Sequence, residues 1–352
     1  MTRAEFLTKI WNLESMSRPA LIVDESIPLN LAVTPQLGLP YDQEVCQNAL
    51  QYYHSLTIHD DIIPAIDPYR GSYITATAFG ARERVFEDGH RYLESPIIFT
   101  ASDVDKIKKP PALSALLGEQ IDMIKRCVDL THGECWIRAG DIQNPLGVAA
   151  MLWDTRTFYP ALIEEPKRMH KLLEIITEVT LEYINQMKAV CQKLVPLCWP
   201  KVWVPPDKGV FLADDTMTLV SPTLYEEYGL TYNNQIGREF GGIHLHSCSL
   251  KERYFKSIIK HEGLRSINFA AQYSADMKII YEFFGGRVVI LPHYVHTDHP
   301  QIGTLSEFID IVLDCWSPEM PTIIYISSKP EGGCQPEVYE AFYRRGFNLD
   351  RR

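Results

Sequence analysis

From Ile58 onward, short apolar runs alternate with longer stretches of helical period. This alternation is typical of repeated βα units, which build a parallel sheet covered by helices. The candidate strands are residues 58–66, 135–142, 201–205 with 210–213, 242–248, 265–269, 287–292 and 322–327. The clearest helices are predicted at 165–190, 221–240, 276–284, 305–316 and 336–344. Seven or eight such units predict an α/β fold that closes as a single (β/α)8 TIM barrel.

The first 55 residues have a different pattern. Two amphipathic stretches, at 4–13 and 42–54, are joined by a link that contains Pro35 and Pro40. We therefore expect residues 1–55 to form an N-terminal helical extension that caps a barrel formed by residues 56–352.

Charge and cysteine usage restrict the partners and the compartment. The chain has 34 Lys and Arg against 45 Asp and Glu, a formal net charge of -11, which disfavours nucleic acid. Its start does not resemble a secretory signal, and no apolar run reaches the length of a membrane span. The eight cysteines are dispersed, as expected for reduced thiols in a cytoplasmic protein. The oligomeric state stays open, a homodimer included.

One predicted strand carries potential metal ligands. Side chains alternate along a strand, so His244, His246 and Cys248 share one face, and the last two lie nearest its carboxyl end. Cys334 follows the final predicted strand by a short loop and is expected at the same rim. One imidazole and two thiols with a fourth position open predict a catalytic zinc site. The alternative is that these residues only pack, since a His-x-Cys tripeptide is a weak motif.

Four segments resemble the uroporphyrinogen decarboxylase superfamily, especially its zinc-dependent methylcobamide:coenzyme M methyltransferases and their bacterial corrinoid relatives. They are His59–Pro64 with Tyr69–Gly71, Gln143–Leu146, Ala213–Asp215 with Leu219–Pro222 and Tyr225, and His246-x-Cys248 with Gly333-Cys334. The chain departs from the family at Ser249, where many members have Gly. It also has Asn268 or Gln272 where the family has an acidic residue.

The resemblance implies that His246, Cys248 and Cys334 bind Zn²⁺, and that zinc converts a thiol acceptor into a nucleophilic thiolate. The methyl group would come from a methylcobamide on a separate corrinoid protein, because the chain lacks an Asp-x-His-x-x-Gly corrinoid signature. The small-molecule acceptor would be a coenzyme M-like thiol or tetrahydrofolate. Two alternatives stay open: a metal-free lyase that decarboxylates a carboxylated substrate, and a non-catalytic corrinoid or small-molecule binder. The Arg-Gln-Ala-Gly-Arg block of the decarboxylases is absent.

Other polar residues at predicted strand ends are candidates for contacts with substrate. Asp214 and Asp215 either position substrate or partner or cap the following helix. His293 begins an H-x-x-H-x-x-H loop with His296 and His299. Three further side chains at or near the barrel mouth are expected to bind substrate: His244, Asn268 and Gln272. A last group has either a catalytic role or a structural role in ion pairs: Asp60, Asp61 and Arg70.

Overall fold

A computed structural model describes residues 1–24, 60–87, 90–296, 302–327 and 336–349. The predicted helix at 42–54 therefore lies outside the described residues, as do His59, His299 and Cys334.

The sheet is made of short parallel strands that are buried on both faces, as expected for apolar runs covered by helices. The strands of the described residues, which include the separate antiparallel hairpin β2–β3, are β1 Ala20–Val23, β2 Glu83–Val85, β3 Arg91–Leu93, β4 Ile137–Arg138, β5 Leu194–Val195, β6 Val210–Ala213, β7 Ile243–His246, β8 Leu264–Ala270, β9 Val289–Tyr294 and β10 Ile323–Ile326.

Six strands form one continuous sheet in the order β1-β10-β9-β8-β7-β6. Backbone hydrogen bonds continue from β6 to Pro196, and β5 pairs with β4. Ile66 bridges to β4, and the amide of Asp61 donates to the carbonyl of Leu21 in β1. These bonds extend the backbone pairing around the barrel, from β6 through β5 and β4 back to β1. All carboxyl ends of the parallel strands therefore lie at one rim.

Helices cover the outside of this sheet, with each buried face defined by apolar residues at helical spacing. The α-helices are α1 Arg3–Trp11, α2 Ile74–Ala78, α3 Ala115–Leu130, α4 Pro145–Leu152, α5 Thr155–Glu164, α6 Pro166–Val190, α7 Pro222–Leu224, α8 Thr231–Phe240, α9 Phe255–Ile258, α10 Met277–Phe284, α11 Leu305–Cys315 and α12 Pro336–Arg344. A π-helical segment, Tyr225–Leu230, joins α7 to α8. Among the described helices, none combines the length and apolar character that crossing a bilayer needs.

Part of the predicted N-terminal extension belongs to the sheet itself. α1 packs against the barrel, where the indole of Trp11 donates to the carbonyl of Trp203. After α1, β1 pairs with β10 in parallel register, Ala20 opposite Ile323. The chain therefore enters the sheet well before residue 56, and the boundary at residue 55 stays a prediction.

Two predicted strands do not form as regular strands. Residues 60–66 contribute one bridge, through Ile66, and residues 201–205 form no ladder. β4 instead pairs with β5. The antiparallel hairpin β2–β3 lies outside the main sheet. Residues 202–205 are buried, but burial alone does not supply a hydrogen-bonding neighbour.

A glycine pair sets the start of β7, which carries the candidate ligands. Gly241 ends α8 in the left-handed conformation, with φ 75°, and Gly242 has φ 126°. A Cβ on Gly242 would lie 2.2 Å from the carbonyl oxygen of Gly263. Only glycine allows the chain to turn here and pair so closely with the segment before β8.

Candidate metal centre and adjoining cavity

Sheet register brings four polar side chains together at the rim. Ala213, the last residue of β6, pairs with His246, the last residue of β7, and His246 pairs with Asn268 in β8. Asp215 and Cys248 each lie two residues beyond the end of their strand. Because the strands are parallel, all four functional side chains meet at the same edge.

Asp215, His246 and Cys248 form a compact group of potential ligands. One donor atom from each lies within 4.8 Å of the others. Cys248 Sγ is 3.5 Å from His246 Nε2 and 3.7 Å from Asp215 Oδ2. The backbone amide of Cys248 donates to Asp215 Oδ1 at 2.6 Å, which fixes the two ligands relative to each other.

The spacing of these atoms is compatible with a shared tetrahedral ion. Ligand atoms about 2.0–2.3 Å from zinc stand roughly 3.3–3.8 Å apart at tetrahedral angles. The two measured separations from Cys248 Sγ fall in this range. The set of one carboxylate, one imidazole and one thiol also matches the ligand types that zinc accepts.

Asn268 determines which nitrogen of His246 faces the group. Its Nδ2 donates to the carbonyl of Leu291 at 2.7 Å, so its Oδ1 faces His246 Nδ1 at 2.5 Å. An amide oxygen only accepts, so Nδ1 carries the proton and Nε2 has a free lone pair. This is the arrangement that orients a metal-binding histidine.

Desolvation and the neighbouring Asp215 carboxylate determine the charge of His246 and Cys248. Desolvation lowers the pKa of His246, and its ring is neutral at neutral pH. Cys248 is exposed at the rim, but partial desolvation of its thiol, together with the neighbouring Asp215 carboxylate, raises its pKa to about 12. The thiol is therefore protonated until a cation binds nearby and displaces the proton.

His293 forms the next layer behind the group. Its ring stacks on His246 with centroids 6.0 Å apart, and its Nδ1 lies 3.2 Å from Asn268 Nδ2. Desolvation, with the His246 ring beside it, lowers the pKa of His293 to about 3. The ring is neutral, and it supports the amide of Asn268.

A cavity of about 620 Å³ opens against the metal group. Asp215 and His246 form part of its wall, and the segment that follows β3 forms another part. Its volume is within the range of small-molecule sites. The lining residues are Ser72, Tyr92, Leu93, Glu94, Ser95, Pro96, Asp141, Gln143, Gly147, Ala150, Met151, Trp153, Thr155, Trp199, Phe211, Ala213, Asp215, Thr216 and His246.

Comparisons with known proteins agree with this architecture. The family model described as uroporphyrinogen decarboxylase matches residues 45–195. This match, over less than half of the chain, supports the predicted resemblance to the uroporphyrinogen decarboxylase superfamily. No curated protein sequence matches the chain.

A solved structure of a methyltransferase from Methanosarcina mazei is similar to the whole chain. The TM-score is 0.69 at 14% sequence identity, covering 99% of this chain and 100% of that one. This similarity confirms the predicted α/β barrel fold. A second structure, bee venom hyaluronidase with a hyaluronic acid tetramer, aligns at a TM-score of 0.32 and 9% identity, over 94% and 97% of the two chains. That score is too low to support an argument.

Of the ligands expected from the superfamily, His246 and Cys248 are brought together, and Cys334 lies outside the described residues. Asp215, predicted to contact substrate or partner, lies within ligand distance of both. The sequence signal was the Asp214-Asp215 pair directly after a strand. Asp214 points the other way: it is buried, accepts from Asn233 Nδ2 and the Met217 amide, and thus caps the following turn.

The structure places three predicted substrate contacts in hydrogen bonds within the protein. His244 Nε2 donates to the Lys208 carbonyl, and its Nδ1 accepts from Ser266 Oγ, so both ring nitrogens are engaged. Gln272 Nε2 donates to the carbonyl of Val295. Asn268 is engaged by His246 and Leu291, as described above.

Asp60, Asp61 and Arg70 have structural partners. Arg18 binds both oxygens of Asp61 at 2.6 and 2.9 Å, and Asp60 accepts from the amide of Val23. These bonds hold β1 in place. Arg70 is paired with Glu83 at 2.8 Å and Glu119 at 3.3 Å.

The sequence reasoning missed Asp141 and the segment after β3. Asp141 lines the cavity beyond the end of β4, accepts from Gln143 Nε2, and has a pKa raised to about 7 by burial. Gln143, its hydrogen-bond partner, was part of the quoted family resemblance. Nothing local in the sequence marks Tyr92 and Glu94 as cavity residues, because their position depends on how the hairpin folds back.

Proposed function

We propose that the protein is a zinc-dependent methyltransferase that moves a methyl group from a methylated corrinoid protein to a small-molecule acceptor, a thiol or tetrahydrofolate. The observation that carries the proposal is the group formed by Asp215, His246 and Cys248 at the barrel rim, of which Asp215 and His246 line the cavity. The barrel likeness to a methyltransferase supports the same reaction class.

The zinc ion would be held by Asp215, His246 and Cys248, with Cys334 as a further predicted ligand. When bound, zinc supplies Lewis acidity that lowers the pKa of a thiol acceptor. His246 offers Nε2 because Asn268 holds the proton on Nδ1. The amide of Cys248 holds Asp215 toward the same point, so little rearrangement is needed for binding.

The cavity then binds the acceptor beside the metal group. Aromatic residues in the lining exclude water from part of the site, and Asp141 with Gln143 offers polar contacts on another wall. The role of these residues is to hold the acceptor in a fixed orientation, which is how positioning accelerates a transfer between two bound groups.

The metal-free lyase is less well supported. A carboxylated substrate needs cationic partners when it is desolvated. Among the described residues that line the cavity, none is Lys or Arg, while three are carboxylates: Glu94, Asp141 and Asp215. Such a wall repels the substrate that this alternative requires.

Zinc analysis combined with an assay of methylcobalamin demethylation tests the proposed function. We expect about one zinc ion per chain, and loss of the methyl–cobalt absorbance with at least one acceptor from a panel of thiols and tetrahydrofolate. Cys248→Ser should lose zinc and activity together, because it removes the thiol of the group. Cys315→Ser, at the end of α11, is the matched control and should keep both. Zinc-free protein that is folded and fully active would contradict the proposal.

A further inference from the structure

The charge of the cavity wall restricts which small molecules it can hold. Glu94 and Asp141 lie in the wall in addition to Asp215, and no lining residue in the described part of the chain is Lys or Arg. The carboxyl of Asp141 is close enough to Asp215 and Cys248 for its charge to interact with both groups. The wall is therefore negative without a compensating cation of its own.

Three cations elsewhere in the barrel are already engaged by carboxylates. Arg70 and Arg91 both bind Glu83, at 2.8 and 3.1 Å. Lys201 lies between Asp24, at 3.5 Å, and Asp67, at 3.9 Å. To neutralise an anionic ligand, these side chains would have to leave partners that hold them in the fold.

Buried Arg138 is also engaged, but by backbone carbonyls rather than by carboxylates. Its guanidinium donates to the carbonyls of Leu197, Lys201 and Val202 at 2.9–3.3 Å. Outside the described residues the sequence adds three other Lys or Arg: segments 25–59 and 297–301 contain none, Lys329 is the one in segment 328–335, and Arg351 and Arg352 end the given sequence.

A bound zinc ion would not reverse this balance. Its two positive charges would be cancelled by the Asp215 carboxylate and a deprotonated Cys248. Glu94, together with the half of Asp141 that is ionised near pH 7, would then still give the remaining wall a negative charge.

Aromatic rings complete the wall. Tyr92, Trp153, Trp199 and Phe211 line the same cavity. Aromatic faces carry negative charge density and attract organic cations, most strongly when water is excluded. Trp199 is held edge-on against His293 and Tyr325, with centroids 5.9 and 5.3 Å apart, so its indole is fixed before a ligand arrives.

We propose that this cavity accepts a small organic cation, an amine or a quaternary ammonium compound, rather than a sulfonate or a carboxylate. The inference rests on the proposed function only for the role of that molecule. As methyl acceptor it would be a thiol that carries a cationic amine, because a quaternary nitrogen has no lone pair for the methyl group and tetrahydrofolate carries carboxylates. The preference for positive charge follows from the wall itself.

Binding of three molecules of nearly the same shape tests the charge preference. Choline is the cation, 3,3-dimethyl-1-butanol its neutral counterpart and 3,3-dimethylbutanoate the anion. Isothermal titration on the full chain, as zinc-loaded and as chelator-treated protein, should give at least tenfold tighter binding for choline than for the alcohol. The butanoate should bind most weakly. Glu94→Gln should reduce the preference for choline over the alcohol at least threefold and leave the affinity for the alcohol unchanged.

Glu87→Gln is the matched control, because Glu87 is exposed just after β2 and is not part of the cavity wall. It should keep the wild-type preference, and Asp141→Asn should reduce it as a second variant. Equal or tighter binding of the alcohol or butanoate would overturn the proposal, as would no binding of any of the three. An unchanged preference in both wall variants would also overturn it. Because these measurements need neither zinc nor methyl transfer, their failure is distinct from failure of the proposed function.

Discussion

At the scale of single residues, the bond between His246 and Asn268 decides which ring nitrogen is available to a metal. Asn268 donates to Leu291 and accepts from His246, so its orientation is fixed from both ends of the amide. One pair lower on the same two strands, Ser266 contacts His244, whose other nitrogen is bonded to Lys208. Two histidines of one strand thus have different roles because of their partners.

Replacing Asn268 should weaken metal binding without removing a ligand. Asn268→Leu keeps a similar side-chain size but leaves His246 Nδ1 without its acceptor, so we expect zinc affinity to fall about 10–100-fold. Competition with a chromogenic chelator measures the change. Ser266→Ala removes the corresponding partner of His244 and should change zinc affinity little. Equal effects of the two substitutions would contradict the role assigned to Asn268.

At the scale of elements, buried polar contacts and glycines fix how the βα units meet. His261 follows α9, and its Nδ1 donates to the carbonyl of Ile258. Its Nε2 faces Tyr225 Oη at 3.2 Å and Asn233 Nδ2 at 3.3 Å, both from the helical stretch that follows β6. This network requires a neutral imidazole that accepts through Nε2.

The buried imidazole of His261 predicts a loss of stability in acid. Desolvation lowers its pKa from 6.5 to about 4. Between these values the unfolded chain binds a proton that the folded chain does not, so the free energy of unfolding falls as pH falls from 6.5 toward 4. In urea unfolding, His261→Gln should lose about 2–3 kcal/mol less than wild type between pH 7.5 and pH 4.5. Parallel pH profiles would contradict this assignment.

The start of β7 should tolerate no side chain at Gly242. Gly242→Ala places a Cβ 2.2 Å from the Gly263 carbonyl oxygen in a backbone with φ 126°, and we expect a loss of at least about 3 kcal/mol. Gly133→Ala is the control, since φ is 67° there but nothing lies within 4 Å of the new Cβ. It should cost roughly 1 kcal/mol. Chemical unfolding measures both, and similar losses would mean that strain, not contact, dominates.

At the scale of the whole molecule, the metal group exists only in the folded chain. Asp215 follows β6, whereas His246 and Cys248 come from β7 and the residues after it, across the intervening helices α7 and α8. A ligand that binds the folded state and not the unfolded chain stabilises the fold by mass action. Zinc is therefore expected to connect neighbouring βα units.

Removing zinc should lower the thermal stability of the protein by an amount that depends on the free zinc concentration. At free zinc about 100 times its Kd, stabilisation is about 2.7 kcal/mol, which corresponds to a rise of a few degrees in Tm. Differential scanning calorimetry should show this rise in wild type and its loss in His246→Ala. Cys315→Ser should keep the zinc-dependent rise. The same rise in His246→Ala would show that zinc stabilises the protein from another site.

The sequence alone determined the fold class and the main helices, including 166–190 and 336–344, because apolar periodicity is a local property of the chain. It also predicted a strand at 242–248, of which Ile243–His246 forms β7, and the prediction that His246 and Cys248 are metal ligands places them in the group found at the rim. It missed β1 as a strand, because four apolar residues within a presumed cap carry little periodic signal.

Only the tertiary structure decided which strand ends meet. The grouping of Asp215 with His246 and Cys248, the hydrogen bonds of His244 to Lys208 and Ser266, and the negative cavity wall all depend on contacts between distant parts of the sequence. Local patterns set the direction of a side chain within its own strand. Its neighbours across the barrel are set by register and closure of the sheet, which no single segment encodes.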